Sequence, residues 1–250
     1  MKIMKNKIIY ITIIVLVFGL VLIFYLPKQK CYEPTVSFTF DDSYKDQYDA
    51  SFPIFKEHNI TATTYIVSGL VGDYFEDQPL MDWLEINELK NNGWEIGSHA
   101  VTHSDLTNLD KDSIRNELEK SKLALEDQSF VVKSLSIPYG KYNDEIKAIA
   151  KEYYDSVRPS VWGLNSFSNI DKYNLKSFWI DNSTPLSKMK SWIDEAENNK
   201  SWLIIMVHHV TTDLSMEYSI HPDNLNKIIN YIEEKNIKVK TVSEVLDQCV

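Results

Sequence analysis

Thr35-Val-Ser-Phe-Thr-Phe-Asp-Asp-Ser43 is a β-branched and aromatic run that stops at two adjacent carboxylates. Such a run reads as a strand, with the charges marking its end. Working outward from it, the same unit recurs. Residues 47–58 carry a helical pattern and 62–67 a second strand. Asp82-Trp-Leu-Glu85 has the spacing of a capping box and opens a helix to about Asn91, where Asn92-Gly93 stops it. Residues 94–98 read as a strand, 110–127 as a long helix, 131–137 as a strand and 143–154 as a helix. Short strands follow at 156–158 and 176–180, then a helix at 187–198 and a strongly apolar strand at 202–207. A helix at 222–235, a strand at 238–241 and a terminal helix at 243–247 complete the chain. Strands alternating with helices specify an α/β fold with a parallel sheet covered by helices. Seven or eight such units suit a barrel better than an open sheet. No internal repeat or interdomain linker interrupts them, and residues 163–173 are the least regular stretch.

The N-terminus is different in kind. Residues 8–26 form 19 positions without a charge, rich in Ile, Val, Leu and Phe. That length crosses a hydrocarbon core of roughly 30 Å as a helix. Lys2, Lys5 and Lys7 precede it, and Lys28 and Lys30 follow, an arrangement that favours the N-terminus inside. A cleaved signal peptide is the competing explanation. However, its apolar stretch is usually shorter and ends in small residues, whereas Tyr25-Leu-Pro-Lys28 offers no such cleavage site. Lys28-Gln29-Lys30 ahead of Cys31 is a poor lipobox. The expectation is a single transmembrane helix within residues 1–30, followed by one domain at 31–250 outside the cytoplasm.

Five of the 26 basic residues lie at or before Lys30, so the remainder sets 21 basic against 36 acidic residues. A domain this acidic repels nucleic acid and anionic surfaces. An uncharged or partly cationic partner is compatible with it, and acidity that merely keeps the domain soluble is the plainer explanation. The two cysteines, Cys31 and Cys249, stand at the two ends of the exported part and have no metal-type spacing. Domain termini are often close together, and a disulfide persists outside the cytoplasm. Either a Cys31–Cys249 bridge or two free thiols fits the sequence.

In parallel α/β folds, functional groups collect at the carboxyl ends of the strands. The first strand ends in Asp41-Asp42, the third in Ser98-His-Ala-Val-Thr-His103, and the run at 202–207 in Val207-His208-His209. Each has an ordinary explanation: Asp-Asp begins turns, an H-x-x-x-H pair arises by chance, and a histidine pair is often satisfied where a strand stops. Their coincidence at one rim favours a site. One carboxylate with two imidazoles is a mixed N/O ligand set that leaves positions for water, which suits a catalytic rather than a structural divalent metal.

Thr39-Phe-Asp-Asp-Ser43, Ser98-His-Ala-Val-Thr-His103, Pro138-Tyr-Gly140 and Leu203-Ile-Ile-Met-Val-His208 together resemble the ordered motifs of the polysaccharide deacetylases, the NodB-homology or carbohydrate esterase family 4 group. The resemblance spans about residues 35–246. It implies a distorted (β/α) barrel and a hydrolase that uses metal-activated water. By position, Asp42, His99 and His103 match the metal triad, Asp41 the catalytic base and His208 the general acid. Tyr139 matches the residue whose backbone N–H helps hold the oxyanion. Zinc is the metal to expect first. The implied substrate is an N-acetylated amino-sugar polymer of the cell wall or cell exterior. An O-acetyl ester, another amide, or binding without catalysis are the alternatives.

The chain departs from the family pattern in two places. Ser136 stands where the family often has an arginine that steadies the base, and no acidic-Trp motif is evident for tuning the acid. Asp181 is the candidate for that tuning, with a turn or cap before Ser183 as its plainer role. Ser43, where glycine is common, is a milder difference. Tyr44, Tyr139, Tyr142 and Trp162 lie near strand ends and are candidates for stacking on sugar rings, although packing is the usual fate of any one aromatic. Trp83, Trp94 and Trp202 read as core.

Overall fold

The computed structural model describes residues 33–213 and 215–249. The membrane span expected at 8–26 lies outside them, and no helix among the described residues is long and apolar enough to cross a membrane.

Thr35–Phe40 is buried along its whole length because both of its edges are occupied. Trp202–Val207 pairs with it residue for residue on one edge. On the other, Lys238–Val239 takes its first two residues and Thr63–Ile66 its last two. Beyond Thr63–Ile66 the sheet continues through Glu95–Ser98, Ser134–Ser136 and Ser156–Arg158; beyond Trp202–Val207 it ends at Phe178–Trp179. These eight strands are all parallel. The outermost pair, Ser156–Arg158 and Phe178–Trp179, are joined through the intervening irregular segment: Val157 N–H donates to Lys172 O, and the Val157 carbonyl accepts from Leu175 N–H. The result is a curled parallel sheet wrapped by helices, consistent with a distorted (β/α) barrel.

The helices start where local chemistry dictates. At Trp83–Asn91 the capping box operates in both directions, with Asp82 accepting from Leu84 and Glu85 N–H, and Glu85 accepting from Asp82 N–H. Asp110 caps Lys111–Glu126, and Asn143 caps Asp144–Tyr153. The helix expected at 47–58 is divided instead: Gln47–Ser51 winds with wider i→i+5 turns, and the α-helix Phe52–Glu57 carries in its first turn Pro53, which has no N–H to donate. The strands at 131–137 and 176–180 shorten to Ser134–Ser136 and Phe178–Trp179.

Side-chain alternation sorts the sheet into two faces. Val36, Phe38 and Phe40 join the apolar layer under the helices, where Phe38 and Phe40 meet Phe55 edge-on and Phe40 stacks on Trp94. The other face, the barrel interior, is polar: Glu95 accepts from Thr63 and Ser134, Arg158 bonds Ser136 and lies over the Tyr65 ring, and Ser37 accepts from the Trp202 indole. Gly97 belongs to this face because a Cβ would stand 2.5 Å from the Tyr65 ring. At the amino end of the strands the interior is closed by Val242–Cys249, whose Val242 and Val245 pack with Trp202, Ile204 and Leu175. Cys249 is disulfide-bonded; Cys31, the chain's other cysteine, lies outside the described residues.

Candidate active site

At the carboxyl ends of the strands lies a cleft of about 610 Å³ lined by Asp41, Asp42, His99, His103, Tyr139 and His208 among others. Every residue expected to take part in metal binding or proton transfer, except Asp181, is therefore at one place.

Asp42 is turned out of the first strand by a left-handed backbone (φ 71°), and Ser43 continues it (φ 66°). Such conformations are costly without glycine and concentrate at functional sites. At Ser43 the hydroxyl compensates by accepting from Val67 N–H at 2.9 Å. His103 and Tyr139 share the left-handed conformation (φ 57° and 58°). Gly140 follows at φ 66°, where any Cβ would collide with Ser160 at 2.1 Å.

The carboxylate of Asp42 meets two imidazoles. Its Oδ1 lies 3.1 Å from His99 Nε2 and 3.1 Å from His103 Nε2, and one ligand atom from each of the three falls within 4.8 Å of the others. The His99 tautomer follows from its other nitrogen, Nδ1, which stands 2.8 Å from the Ser136 carbonyl. A carbonyl only accepts, so Nδ1 carries a hydrogen, and Nε2, turned to Asp42, is the nitrogen that would give up its own proton to ligate a cation. All three residues are buried. A carboxylate and two imidazole nitrogens converging away from water fit a divalent cation, as their N/O character also indicates. Burial works to raise the Asp42 carboxyl, but hydrogen bonds to His103 and His99 and the nearby His208 hold it well below the usual range.

Asp41 is turned away from this triad. Its Oδ2 is 4.0 Å from His99 Nε2, and its carboxylate is engaged by Arg158 and Ser136. Burial pushes its carboxyl up; Arg158 first, then His99 and His208, bring it below the ordinary value. The arginine absent at 136 thus has a counterpart on the neighbouring strand, where Ser136 and Arg158 are register partners.

His208 places Nε2 3.8 Å from Asp42 Oδ2, and its ring lies 5.2 Å from that of Tyr218. Burial lowers its imidazole below the ordinary histidine value, against the pull of Asp42 and Asp41. Its Nδ1 has no hydrogen-bond partner among the described residues. Asp181 does not supply one: its Oδ1 accepts from Ser183 N–H, Ser183 Oγ and Thr184 Oγ1. The tuning role expected of Asp181 is corrected to a turn, because three short-range donors already hold the carboxylate. A carboxylate–imidazole pair exists one residue away, where His209 Nδ1 faces Asp46 at 2.8 Å and the Tyr44 ring packs on the imidazole at 3.8 Å.

Gln47, unremarkable in sequence, ties the rim together by donating to the carbonyls of both Asp41 and His208 while accepting from Thr64. Of the stacking candidates, Tyr139 is exposed on the cleft wall with its ring 4.6 Å from His103, whereas Tyr44 is buried. Tyr142 bonds the Tyr173 carbonyl, and Trp162 packs on Phe178, Trp179 and Trp192. Trp179 and Phe75, from outside the quoted motifs, do line the cleft.

Residues 28–154 match the family described as polysaccharide deacetylase. The chain belongs to that family. A poly-beta-1,6-N-acetyl-D-glucosamine N-deacetylase of Staphylococcus aureus is 29% identical over 150 residues, 52% of this chain and 49% of that protein. The chain spans about half the length of the curated relatives it matches. Among solved structures of deacetylases, PplD of Streptococcus pyogenes, in complex with acetate, is 26% identical with a TM-score of 0.56, covering 62% of this chain and 68% of that one. The T48 deacetylase with substrate has a TM-score of 0.61 at 18% identity, covering 86% and 92%; at that identity the likeness speaks for the fold.

Proposed function

We propose that this family member removes N-acetyl groups from an amino-sugar polymer, with Asp42, His99 and His103 holding a divalent cation, zinc foremost. The single observation that carries this reading is the division of labour between adjacent carboxylates: Asp42 faces two imidazoles, while Asp41 faces an arginine. A domain that only bound metal would need the first arrangement and not the second. Bound in the triad, the cation would activate water and polarise the acetamide carbonyl.

The chain's own residues fit the remaining tasks. Asp41, ionised and held off the triad, takes a proton from the attacking water. The backbone N–H of Tyr139, a residue of the cleft wall with left-handed backbone, meets the developing oxyanion. His208 delivers a proton to the departing sugar nitrogen as the C–N bond breaks. The products are acetate and a free amino sugar. The name of the S. aureus relative supports an N-acetylglucosamine polymer, and the apolar span at 8–26 supports action at the outer face of a membrane.

Acetate release from chitooligosaccharides, peptidoglycan and acetylated xylan, with and without chelator, tests the proposal. Chelator-sensitive release from either N-acetylated substrate is expected. Release from xylan alone would make the chain an esterase, and no release from any would leave a binding domain.

A further inference from the structure

Arg158 is among the largest fully buried side chains of the protein, with 1% exposure. Burying a guanidinium is expensive, and a buried ion pair is at best weak support for stability compared with apolar packing of the same volume. Its position therefore calls for a role. Nη2 donates to both Asp41 oxygens and, at 2.7 Å, to Ser136 Oγ, which in turn donates to Asp41 Oδ2 at 3.0 Å. The guanidinium is itself clamped: Nη1 lies 2.8 Å from Met206 Sδ, and the group sits over the Tyr65 ring at 5.3 Å.

Along the sheet, three strands separate Arg158 from Asp41. They meet because alternation points Tyr65, Ser136, Arg158 and Met206 into the same interior layer directly beneath Asp41. Asp41 without a fixed partner would be free to turn toward the cation site that Asp42 occupies, only 4.0 Å from His99 Nε2. An acceptor of water's proton is useful only if it stays off the metal and keeps one orientation.

We propose that Arg158 is the positioning residue for Asp41, doing from the fifth strand what an arginine at 136 would do from the fourth, and that the two placements are interchangeable. Ser136 and Arg158 are register partners on neighbouring strands, about 4.8 Å apart in the pairing direction. A small residue at 136 leaves the space that the guanidinium fills. The chemistry of this role rests on the deacetylase reading, but the geometry of Asp41 does not.

The test uses the full metal-loaded chain with Arg158→Gln, Arg158→Lys, Arg158→Ser and the exchange Ser136→Arg with Arg158→Ser. Arg158→Gln and Arg158→Ser should each keep one equivalent of metal, leave KM within a few-fold and lower kcat by about 10²-fold, the scale of a misplaced general base. Lysine should restore part of this, since it returns the charge without the planar fork. The exchange should recover kcat to within about tenfold of the parent if the placements are equivalent. In the cobalt-loaded protein, Arg158→Gln should weaken the visible bands as Asp41 joins the metal, and adding Asp41→Ala should restore them.

Near-parental kcat in Arg158→Gln would overturn the proposal. So would an exchange variant that folds and holds metal yet stays as slow as Arg158→Ser. Collapse of both the glutamine and exchange variants would assign Arg158 to structure and equally overturn it. If the parent chain releases no acetate, the functional reading fails while the cobalt spectra still decide the position of Asp41: unchanged bands in Arg158→Gln would sink it.

Discussion

His99 and Ser136 are joined at 2.8 Å, imidazole Nδ1 to backbone carbonyl, across the neighbouring strands Glu95–Ser98 and Ser134–Ser136. One bond fixes both the ring orientation and the nitrogen left free for a cation. Because the acceptor is backbone, no substitution at 136 deletes it, so the Ser136→Arg exchange should leave metal binding untouched.

The metal triad should behave as a unit. Replacing His99 or His103 with Ala should abolish stoichiometric metal while far-ultraviolet dichroism stays near that of the parent. Copurification of a full equivalent of metal with His99→Ala would show that the triad is misassigned.

Asp41 and His208 should separate from the triad in the same measurements. Asp41→Asn and His208→Ala should each retain metal but lose about 10²-fold or more in kcat, the range for a general base or acid. His209→Ala serves as the contrast. Its imidazole is engaged by Asp46 and covered by Tyr44, so the expected loss is smaller. The reverse order would transfer the acid role from His208 to His209.

Why the triad was legible in sequence while Arg158 was not has a physical cause. Asp42, His99 and His103 are held by short-range structure: strand ends and tight left-handed turns lie next to the residues in the chain. Arg158 reaches Asp41 only because the sheet curls, so the contact spans 117 positions. Its sole local signal is a charge at the inward position of Ser156-Val-Arg158, too short a strand for alternation to be read with any weight. Gln47 and Asp46 suffer the same way, since each meets a strand that arrives much later in the chain. Asp181 failed in the opposite direction: Asp-Asn-Ser-Thr184 has the spacing of a side-chain-stabilised turn, and that local demand took the carboxylate.

Glu95 should be a stability hub remote from the chemistry. Its carboxylate accepts from Thr63 Oγ1 (3.0 Å), Ser134 Oγ (2.6 Å), and Ser243 N–H and Oγ (2.8 and 2.6 Å), seating the terminal helix on the barrel floor. Glu95→Ala strands several buried donors, at a cost of about 2–3 kcal/mol. Denaturant melts should show this loss with kcat little changed. A difference below about 0.5 kcal/mol, the range of ordinary surface substitutions, would remove Glu95 from this role.

Peptide mapping of protein matured outside the cytoplasm, digested without reductant, should yield one species linking Cys31 to Cys249, since Cys249 is disulfide-bonded and the chain has two cysteines. Closing a loop of that length is worth roughly 5 kcal/mol in the chain-entropy account. Reduction should therefore lower Tm, and free thiols at both positions would refute the link.

His58 supplies the pH dependence that is independent of the metal centre. It joins two helices, with Nδ1 3.0 Å from Glu233 Oε1 and Nε2 2.6 Å from Asn226 Oδ1. Burial works to lower the imidazole's affinity for protons, but two acceptors facing its two nitrogens more than offset it, and the net is a raised value. A raised value in the folded state means the contribution is complete below the unfolded histidine range, near pH 6.5, and fades as pH rises through the folded value. Glu233 is half exposed, so the effect is screened to about 1 kcal/mol or less. Stability of the parent should fall between pH 6 and pH 8 more than that of His58→Gln. Parallel pH profiles for the two proteins would show that the charged form of His58 contributes nothing to holding these helices together.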